Sequence, residues 1–150
     1  MRRRTVLKAL TLGALVLAAP MAMLDAVHAA GADQVKVVYH LADGLEQASR
    51  ALANIRNHLR AAPDTRIVVV ALGDGVRFLL EGAKDRNGKP YDAAIAALAS
   101  QGVEFRVCNN TLTAHGIDPS RVVLEAKIVE SGVAEVARLQ AKEGFVYLRP

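Results

Sequence analysis

The chain contains a single cysteine, Cys108, which is the only strong nucleophile at the end of a predicted strand. The alternation of apolar residues over 103–107 predicts a strand that delivers Cys108, and residues 109–115 predict a short helix directly after it. One cysteine per chain excludes an internal disulfide. The sequence therefore leaves three roles for Cys108: a buried and inert side chain, a functional thiol, or a cross-link to another chain.

This position, between a strand and the start of a helix, favours the thiolate form of Cys108. The first backbone N–H groups of a helix have no partner within it, so those of Asn110 and Thr111 are expected to point at the sulfur. Such donors lower the pKa of a cysteine below its usual value of ~8.5 and suit a nucleophile or a sulfur carrier. The turn into the helix is also expected to lift the side chain toward solvent. The alternative is a cysteine that packs in the core as a small apolar side chain.

Two histidines are candidates for a base beside Cys108. His40 follows the first predicted strand and would be its neighbour if the first and third strands were adjacent in the sheet. The alternative for His40 is a core side chain that satisfies one hydrogen bond. His115 lies seven residues beyond Cys108, a helical rise of about 10 Å, which is too far for a hydrogen bond. His58, among polar residues of the first predicted helix, is expected to face solvent.

Other familiar motifs are incomplete. Residues 73–75, Gly-Asp-Gly, follow a predicted strand but lack the later glycine of a dinucleotide-binding loop, because Arg77 and Phe78 occupy those positions. No Gly-Lys-Ser/Thr phosphate-binding loop occurs in the sequence, and no spacing of His, Cys and carboxylate residues fits a zinc site. Asp43 and Asp74 are interpreted as turn residues. We therefore expect no cofactor and no metal site.

The elements that must position Cys108 alternate between strand and helix. Apolar and β-branched runs predict five strands, near residues 35–39, 67–72, 103–107, 126–129 and 145–148. Helical spacing of apolar residues predicts the helices between them, near residues 45–59, 76–81, 91–100, 109–115 and 131–143. Strands separated by helices are joined by parallel crossovers. The predicted fold is α/β, a three-layer open sheet of about five mostly parallel strands with helices on both faces, and such sheets bind ligands at the carboxyl ends of the strands.

Residues 1–29 have the anatomy of a cleaved export signal. Three arginines at positions 2–4 precede an apolar run that reaches residue 24, and residues 27–29, Val-His-Ala, fit a cleavage site. Residues 3–8 resemble a bacterial twin-arginine signal, although the general secretory route also accepts arginine-rich segments. The sequence thus predicts a bacterial periplasmic protein whose domain spans residues 30–150, with no stable membrane span after cleavage.

The charge balance of the predicted domain argues against nucleic-acid binding. Four of the 19 basic residues and one of the 15 acidic residues lie in the predicted signal, so 15 basic and 14 acidic residues remain. The domain is close to neutral and has no basic patch interleaved with aromatic residues, which single-stranded nucleic acids require.

Several stretches resemble the DsrE/DsrF-like (YchN-like) family. They are residues 102–112, which read Gly-Val-Glu-Phe-Arg-Val-Cys-Asn-Asn-Thr-Leu, then Gly116-Ile117, residues 126–145, and residues 70–73 with the Phe-Leu-Leu of 78–80. The resemblance implies a five-stranded, largely parallel sheet and assembly as a trimer or hexamer. In the sulfur-relay branch of this family, a cysteine in the position of Cys108 accepts sulfane sulfur as a persulfide and passes it on. The relay proteins are cytoplasmic, so an export signal argues against transfer-RNA thiolation here.

Two functional hypotheses follow. In the first, the protein is an exported sulfur-trafficking protein that carries a persulfide on Cys108, assisted by Asn110, Thr111 and His40, with sulfur donor and acceptor proteins or small thiols as partners. In the second, it is a non-catalytic oligomeric module that binds a small ligand or partner, and Cys108 is buried and inert. A metal site that combines Cys108 with histidines of neighbouring subunits is a weaker alternative.

Overall fold

The computed structural model describes residues 34–150, which form a five-stranded sheet whose neighbouring strands are all parallel. In chain order the strands are β1 (Lys36–Leu41), β2 (Arg66–Ala71), β3 (Glu104–Cys108), β4 (Ala126–Val129) and β5 (Val146–Leu148). Their order across the sheet is β4-β3-β2-β1-β5. The predicted α/β fold is confirmed. The predicted export signal, residues 1–29, lies outside the described residues.

Helices connect these strands. They are α1 (Leu45–Ala61), α2 (Asp92–Ala99), α3 (Asn109–Ala114) and α4 (Gly132–Glu143), with 3-10 turns at Gly73–Leu79 and Pro119–Arg121. The helix predicted near residues 76–81 is instead the first 3-10 turn, which begins directly after β2. In the part of the chain that the structure describes, no helix is both long enough and apolar enough to cross a membrane.

The strand order explains why helices cover both faces of the sheet. From β1 to β4 the strands follow one another in one direction, so right-handed crossovers place their connections on one face. The step from β4 back to β5 runs in the opposite direction. It therefore carries α4 over the other face, where α4 contacts β1, β2 and β3.

The larger core lies on the face covered by α1. This helix buries an apolar stripe at Ala48, Ala51, Leu52 and Ile55 against the sheet, as its three- and four-residue spacing predicts. Side chains of β2 are buried on both faces from Ile67 to Ala71, because β2 is the central strand. Burial of each large aliphatic side chain contributes about 1.5–3 kcal/mol to folding.

The smaller core lies under α4. Its helical residues Val136 and Leu139, with Phe145, pack on valines of β1 and β2. The helix begins at the N-cap Ser131, whose hydroxyl accepts a hydrogen bond from the Ala134 N–H at 3.4 Å. It ends at Gly144, which adopts the left-handed conformation with φ of 72°.

Three arginines and three glutamates form a closed ring of alternating charges that attaches α4 to the sheet. This ion-pair ring consists of Arg66, Glu104, Arg106, Glu135, Arg138 and Glu143, each paired with the next and the last with the first. The members differ in burial: Arg106 is only 8% exposed, whereas Arg138 lies on the surface. Exposed ion pairs contribute little to stability, so the buried link between Arg106 and Glu135 is the one expected to matter most.

Candidate functional site

Cys108 is the last residue of β3, and α3 begins at the next residue. Its backbone is extended, with φ of −73° and ψ of 114°, so the change from strand to helix occurs without strain at the cysteine. The side chain is 5% exposed. The prediction that the turn into the helix would lift Cys108 into solvent is wrong, because a second helix covers the thiol.

That second helix is α4, whose first residue, Gly132, packs directly on Cys108. A Cβ added to Gly132 would lie 3.0 Å from the Cβ of Cys108 and 3.0 Å from Cδ2 of Leu72. Contacts this short are tighter than most that a Cβ makes, so glycine lets the α4 backbone approach to a distance at which any side chain would force a neighbour to shift. Cys108 therefore lies between the amino termini of two helices, α3 and α4.

The surroundings of Cys108 act on its pKa in opposite directions. Burial raises the pKa, because the protein interior disfavours a charged thiolate. Four donors lower it: the Gly132 N–H has the largest effect, followed by the Thr111 hydroxyl, the Thr111 N–H and the Asn110 N–H. The donors prevail, and the pKa of the Cys108 thiol lies below its ordinary value. The thiol is thus enclosed but favours ionisation.

Thr111 links this group of donors to β2. Its hydroxyl oxygen accepts a hydrogen bond from the Gly73 N–H at 3.0 Å, which leaves the hydroxyl proton free to point at the sulfur. The Asn110 N–H also donates to the carbonyl of Glu130 at 3.2 Å, so it is shared between two acceptors. The structure therefore brings Thr111 and Asn110 to Cys108 and adds Gly132, which the sequence analysis did not identify.

The sequence model of the DsrE/DsrF-like family matches residues 18–149. The chain belongs to the DsrE/DsrF-like family. Among solved structures, it is similar to the protein of unknown function MTH1491 from Methanobacterium thermoautotrophicum, with 33% identity and a TM-score of 0.69, covering 78% of this chain and 100% of that one. It also shares its fold with the ychN protein from E. coli, with 18% identity and a TM-score of 0.63, covering 78% and 99% of the two chains. None of the curated proteins compared with it matches.

In this DsrE-like fold, His40 does not lie beside Cys108. The condition for that contact was adjacency of the first and third strands, but β2 lies between them, so their axes are about 10 Å apart. His40 instead forms a hydrogen bond through Nδ1 to the Tyr147 hydroxyl at 2.8 Å. Burial and the nearby Arg149 lower the pKa of His40, with Asp43 acting in the opposite direction. His40 is half-buried and makes this one side-chain hydrogen bond to a neighbouring strand, away from the thiol.

The other two histidines are also separate from the thiol site. His58 is half-buried, and its Nδ1 lies 3.0 Å from the Tyr39 hydroxyl, so it faces solvent only in part. His115 is exposed at the carboxyl end of α3. Asp43 and Asp74, interpreted as turn residues, pair with Arg149 at 2.6 Å and Arg77 at 2.9 Å. The donors that act on Cys108 are therefore backbone amides and one hydroxyl.

A cleft of about 410 Å³ opens next to the thiol site. It is lined by Val129, Glu130, Ser131, Ala134, Glu135 and Arg138. Val129 pairs with Cys108 in the sheet, and Ser131 precedes Gly132, so the cleft reaches the strand and the helix terminus that enclose the sulfur. Within residues 34–150, no cluster of His, Cys, Asp and Glu side chains is arranged to hold a metal ion. The chemistry that this site offers is that of a stabilised thiolate.

Proposed function

We propose that this DsrE-like protein is an exported sulfur-trafficking protein that carries sulfane sulfur as a persulfide on Cys108. The observation that supports the proposal best is the position of the sulfur between the amino termini of α3 and α4, where N–H groups and a hydroxyl lower the pKa of the thiol. The same donors suit the charged terminal sulfur of a persulfide, because a hydrogen bond to a charged group is stronger than one to a neutral group.

The proposed loading step is an exchange without net oxidation. The Cys108 thiolate attacks the outer sulfur of a donor persulfide, and a new S–S bond forms at Cys108. The S–S bond of the donor breaks, and its inner sulfur leaves as a thiolate that takes up a proton. Delivery is the same reaction with a thiolate of the acceptor, which restores the Cys108 thiolate. The donor and acceptor are proteins or small thiols, and no cofactor takes part.

The burial of Cys108 is compatible with a carrier, because a persulfide must be kept from water and other thiols between loading and delivery. Gly132 of α4 packs on Cys108, α3 begins at the next residue, and the cleft lined by Val129 opens beside them. Loading then requires α4 to move by a small distance. A modest loading rate that rises with temperature is the expected consequence.

The decisive experiment is persulfide loading followed by intact-mass spectrometry. Reduced protein incubated anaerobically with a persulfide donor should gain the mass of one sulfur atom, which peptide mapping should place on Cys108. Cyanide should remove that atom as thiocyanate. The Cys108→Ser variant, which differs by one atom, should gain nothing. Folded wild-type protein that stays unmodified would contradict the proposal.

Export is a separate part of the proposal and has its own test. It rests on residues 1–29, where arginines at positions 3 and 4 precede an apolar segment. In a bacterial host, the wild-type chain should appear in the periplasmic fraction in shortened form. Replacing both arginines by lysine should retain the precursor in the cytoplasm if the twin-arginine route is used. Normal processing of this double variant would indicate the general secretory route.

We also propose that the protein assembles as a trimer or hexamer. Apolar side chains are exposed near both edge strands: Leu124 and Ile128 at β4, and Tyr147 and Leu148 on β5. Exposed apolar groups next to unpaired strand edges are typical of surfaces that another chain covers. Size-exclusion chromatography with light scattering tests this directly, and a monomer at micromolar concentration would contradict it.

A second candidate function is a small-ligand-binding module with an inert cysteine. The burial of Cys108 favours it, as does a cleft of about 450 Å³ between α1 and β5, lined by residues that include Tyr39, His58 and Leu148. That volume lies in the range of small-molecule sites. Thiol titration of the native protein separates the two functions, because an inert Cys108 reacts only after unfolding and a carrier thiol reacts in the folded state.

A further inference from the structure

The first turn of α4 is joined to β3 by an ion pair that lies close to the thiol. Arg106 on β3 precedes Cys108 by two residues, so the two side chains share one face of the sheet. Its Nη1 donates to Glu135, and its Nη2 donates to Glu104 at 2.6 Å. Glu135 follows Gly132 by three residues, within the same helical turn. The Arg106–Glu135 ion pair therefore connects β3, which carries the sulfur, to the first turn of α4. That turn supplies the Gly132 N–H, the donor with the largest effect on the pKa of Cys108.

Burial makes this connection hard to release. Arg106 is 8% exposed, and the Glu135 side chain is 11% exposed. If Glu135 moved away, the buried guanidinium of Arg106 would keep Glu104 but lose Glu135, the more buried of these two carboxylates. This loss costs free energy, so the protein favours the arrangement in which Glu135 stays on Arg106. The Ser131 cap, a hydrogen bond of 3.4 Å, lies within α4 and does not join it to β3, and the Asn110 N–H holds the carbonyl of Glu130, just before the helix, at 3.2 Å.

We propose that Glu135 is a positioning residue for the sulfur site: by pairing with Arg106 it fixes the first turn of α4 on β3 and holds the Gly132 N–H against Cys108. This inference deepens the proposed carrier function and rests on it. Glu135 does not touch the sulfur, and it acts through the backbone of its own helix. Within the ion-pair ring, Glu135 then has a role at the sulfur site that Glu143 does not share.

Two variants of the same helix test this assignment. Glu135→Ala and Glu143→Ala each remove one glutamate of the ion-pair ring from α4, near Gly132 in the first case and at the last residue of the helix in the second. The pH midpoint of Cys108 alkylation by iodoacetamide, measured from pH 5 to 10, reports the ionisation of the thiol, whereas the plateau rate at high pH reports its access to the reagent. Glu135→Ala should shift this profile to higher pH and, relative to its own plateau, slow alkylation at neutral pH about tenfold, the size expected when a hydrogen bond to a charged group is lost. Glu143→Ala should leave the profile in place.

The direction of the shift separates positioning from simple electrostatics. Removing the negative charge of Glu135 would by itself stabilise the nearby thiolate and move the profile to lower pH. Loss of the Gly132 donor moves it to higher pH. An unchanged profile, a shift to lower pH, or an equal shift in Glu143→Ala would overturn the assignment.

A third variant keeps the test valid if Glu135→Ala fails to fold. Glu135→Gln retains the shape of the side chain and one acceptor oxygen for Arg106, so its profile should lie between those of the wild type and the alanine variant. Hydrogen exchange of residues 131–135 should be faster in Glu135→Gln than in the wild type, whereas Glu143→Ala should leave it unchanged. Unchanged exchange in Glu135→Gln would also overturn the assignment. If the profile shifts as expected but wild-type protein takes up no sulfur, the carrier function is wrong and the positioning role of Glu135 stands.

Discussion

Gly132 packs so tightly on Cys108 that a Cβ at position 132 would lie 3.0 Å from the Cβ of the cysteine. The contact joins residues 24 positions apart in the chain and lets a backbone N–H reach the sulfur. In the described part of the chain, the donors that lower the pKa of Cys108 come from both α3 and α4. The site therefore exists only when α4 is seated on the sheet.

Gly132→Ala should disturb this contact. The added methyl group meets Cys108 and Leu72, and since the cysteine Cβ is fixed to its strand, α4 must shift by a few tenths of an ångström. We expect a loss of about 1–3 kcal/mol in the free energy of unfolding, as for other overpacked sites. The pH profile of Cys108 alkylation should also move to higher pH, so that alkylation at neutral pH is slower relative to its high-pH plateau.

A suitable control for that variant is Gly88→Ala, in the exposed loop before α2. Its φ of 79° makes alanine unfavourable there by about 1–2 kcal/mol, but nothing lies within 4 Å of the added atom. Both variants should lose stability, and only Gly132→Ala should change the alkylation profile. The same change in both would show that the profile reports stability alone.

Thr111→Val should weaken the thiolate without altering the size of the side chain. Valine can neither accept the hydrogen bond from the Gly73 N–H nor donate to the sulfur. Alkylation of Cys108 at neutral pH should slow about three- to tenfold, with the pH profile moved upward. Thr113→Val, on the same helix but exposed, is the matched control and should behave as the wild type. If Thr111→Val keeps the wild-type profile, the hydroxyl does not serve the sulfur.

The local part of the site was predictable from the sequence. The alternation of residues 103–107 and the short segment 109–115 placed Cys108 between β3 and α3, and with it the amides of Asn110 and Thr111. These features depend on neighbours within a few residues. The contribution of α4 was not predictable, because it depends on strand order: only the return from β4 to β5 carries α4 to the face that bears Cys108.

Strand order also explains the different outcome for His40. The sequence placed it at the end of β1, but its distance from Cys108 depends on β2 lying between the two strands. Two local signals did point to the missing part of the site. Ser131 caps a helix whose first residue is a glycine, and Arg106 sits between the apolar Phe105 and Val107 of a strand. A glycine there indicates a close approach, and a charged residue in a buried strand requires a carboxylate partner.

Gly75→Ala should destabilise the protein more than Gly132→Ala does. A Cβ at position 75 would lie 2.3 Å from the Leu41 carbonyl oxygen and 2.5 Å from its carbon, both backbone atoms that cannot rotate away. The 3-10 turn that follows β2 would have to move off the end of β1. We expect a loss of at least about 3 kcal/mol, measured by urea denaturation. Gly82→Ala, which meets no atom within 4 Å, is the control, and an equal loss in both would contradict the close packing.

The glutamates of the ion-pair ring should make the protein less stable in acid. Hydrogen bonds from Arg138 and Arg106 outweigh burial and lower the pKa of Glu135, and those from Arg106 and Arg66 likewise lower that of Glu104, both below the ordinary value of 4.5. A carboxyl group whose pKa is lower in the folded state binds fewer protons there than in the unfolded chain. Its stabilising contribution is therefore complete above pH 4.5 and is lost as the pH falls through the folded-state pKa.

Urea denaturation at a series of pH values from about 7 down to 3 measures this loss. The wild-type free energy of unfolding should fall slightly below pH 6.5, because the pKa of His40 is lowered in the folded state, and should fall further below about 4.5 as the glutamates titrate. Glu135→Ala starts from a lower stability at neutral pH, but its acid-induced loss should be smaller because one of the titrating carboxylates is gone. If the free energy of unfolding falls by the same amount in acid for both proteins, the pKa of Glu135 is the same in the folded and unfolded states. In that case the ion-pair ring would not be what holds α4, and with it Gly132, in place at neutral pH.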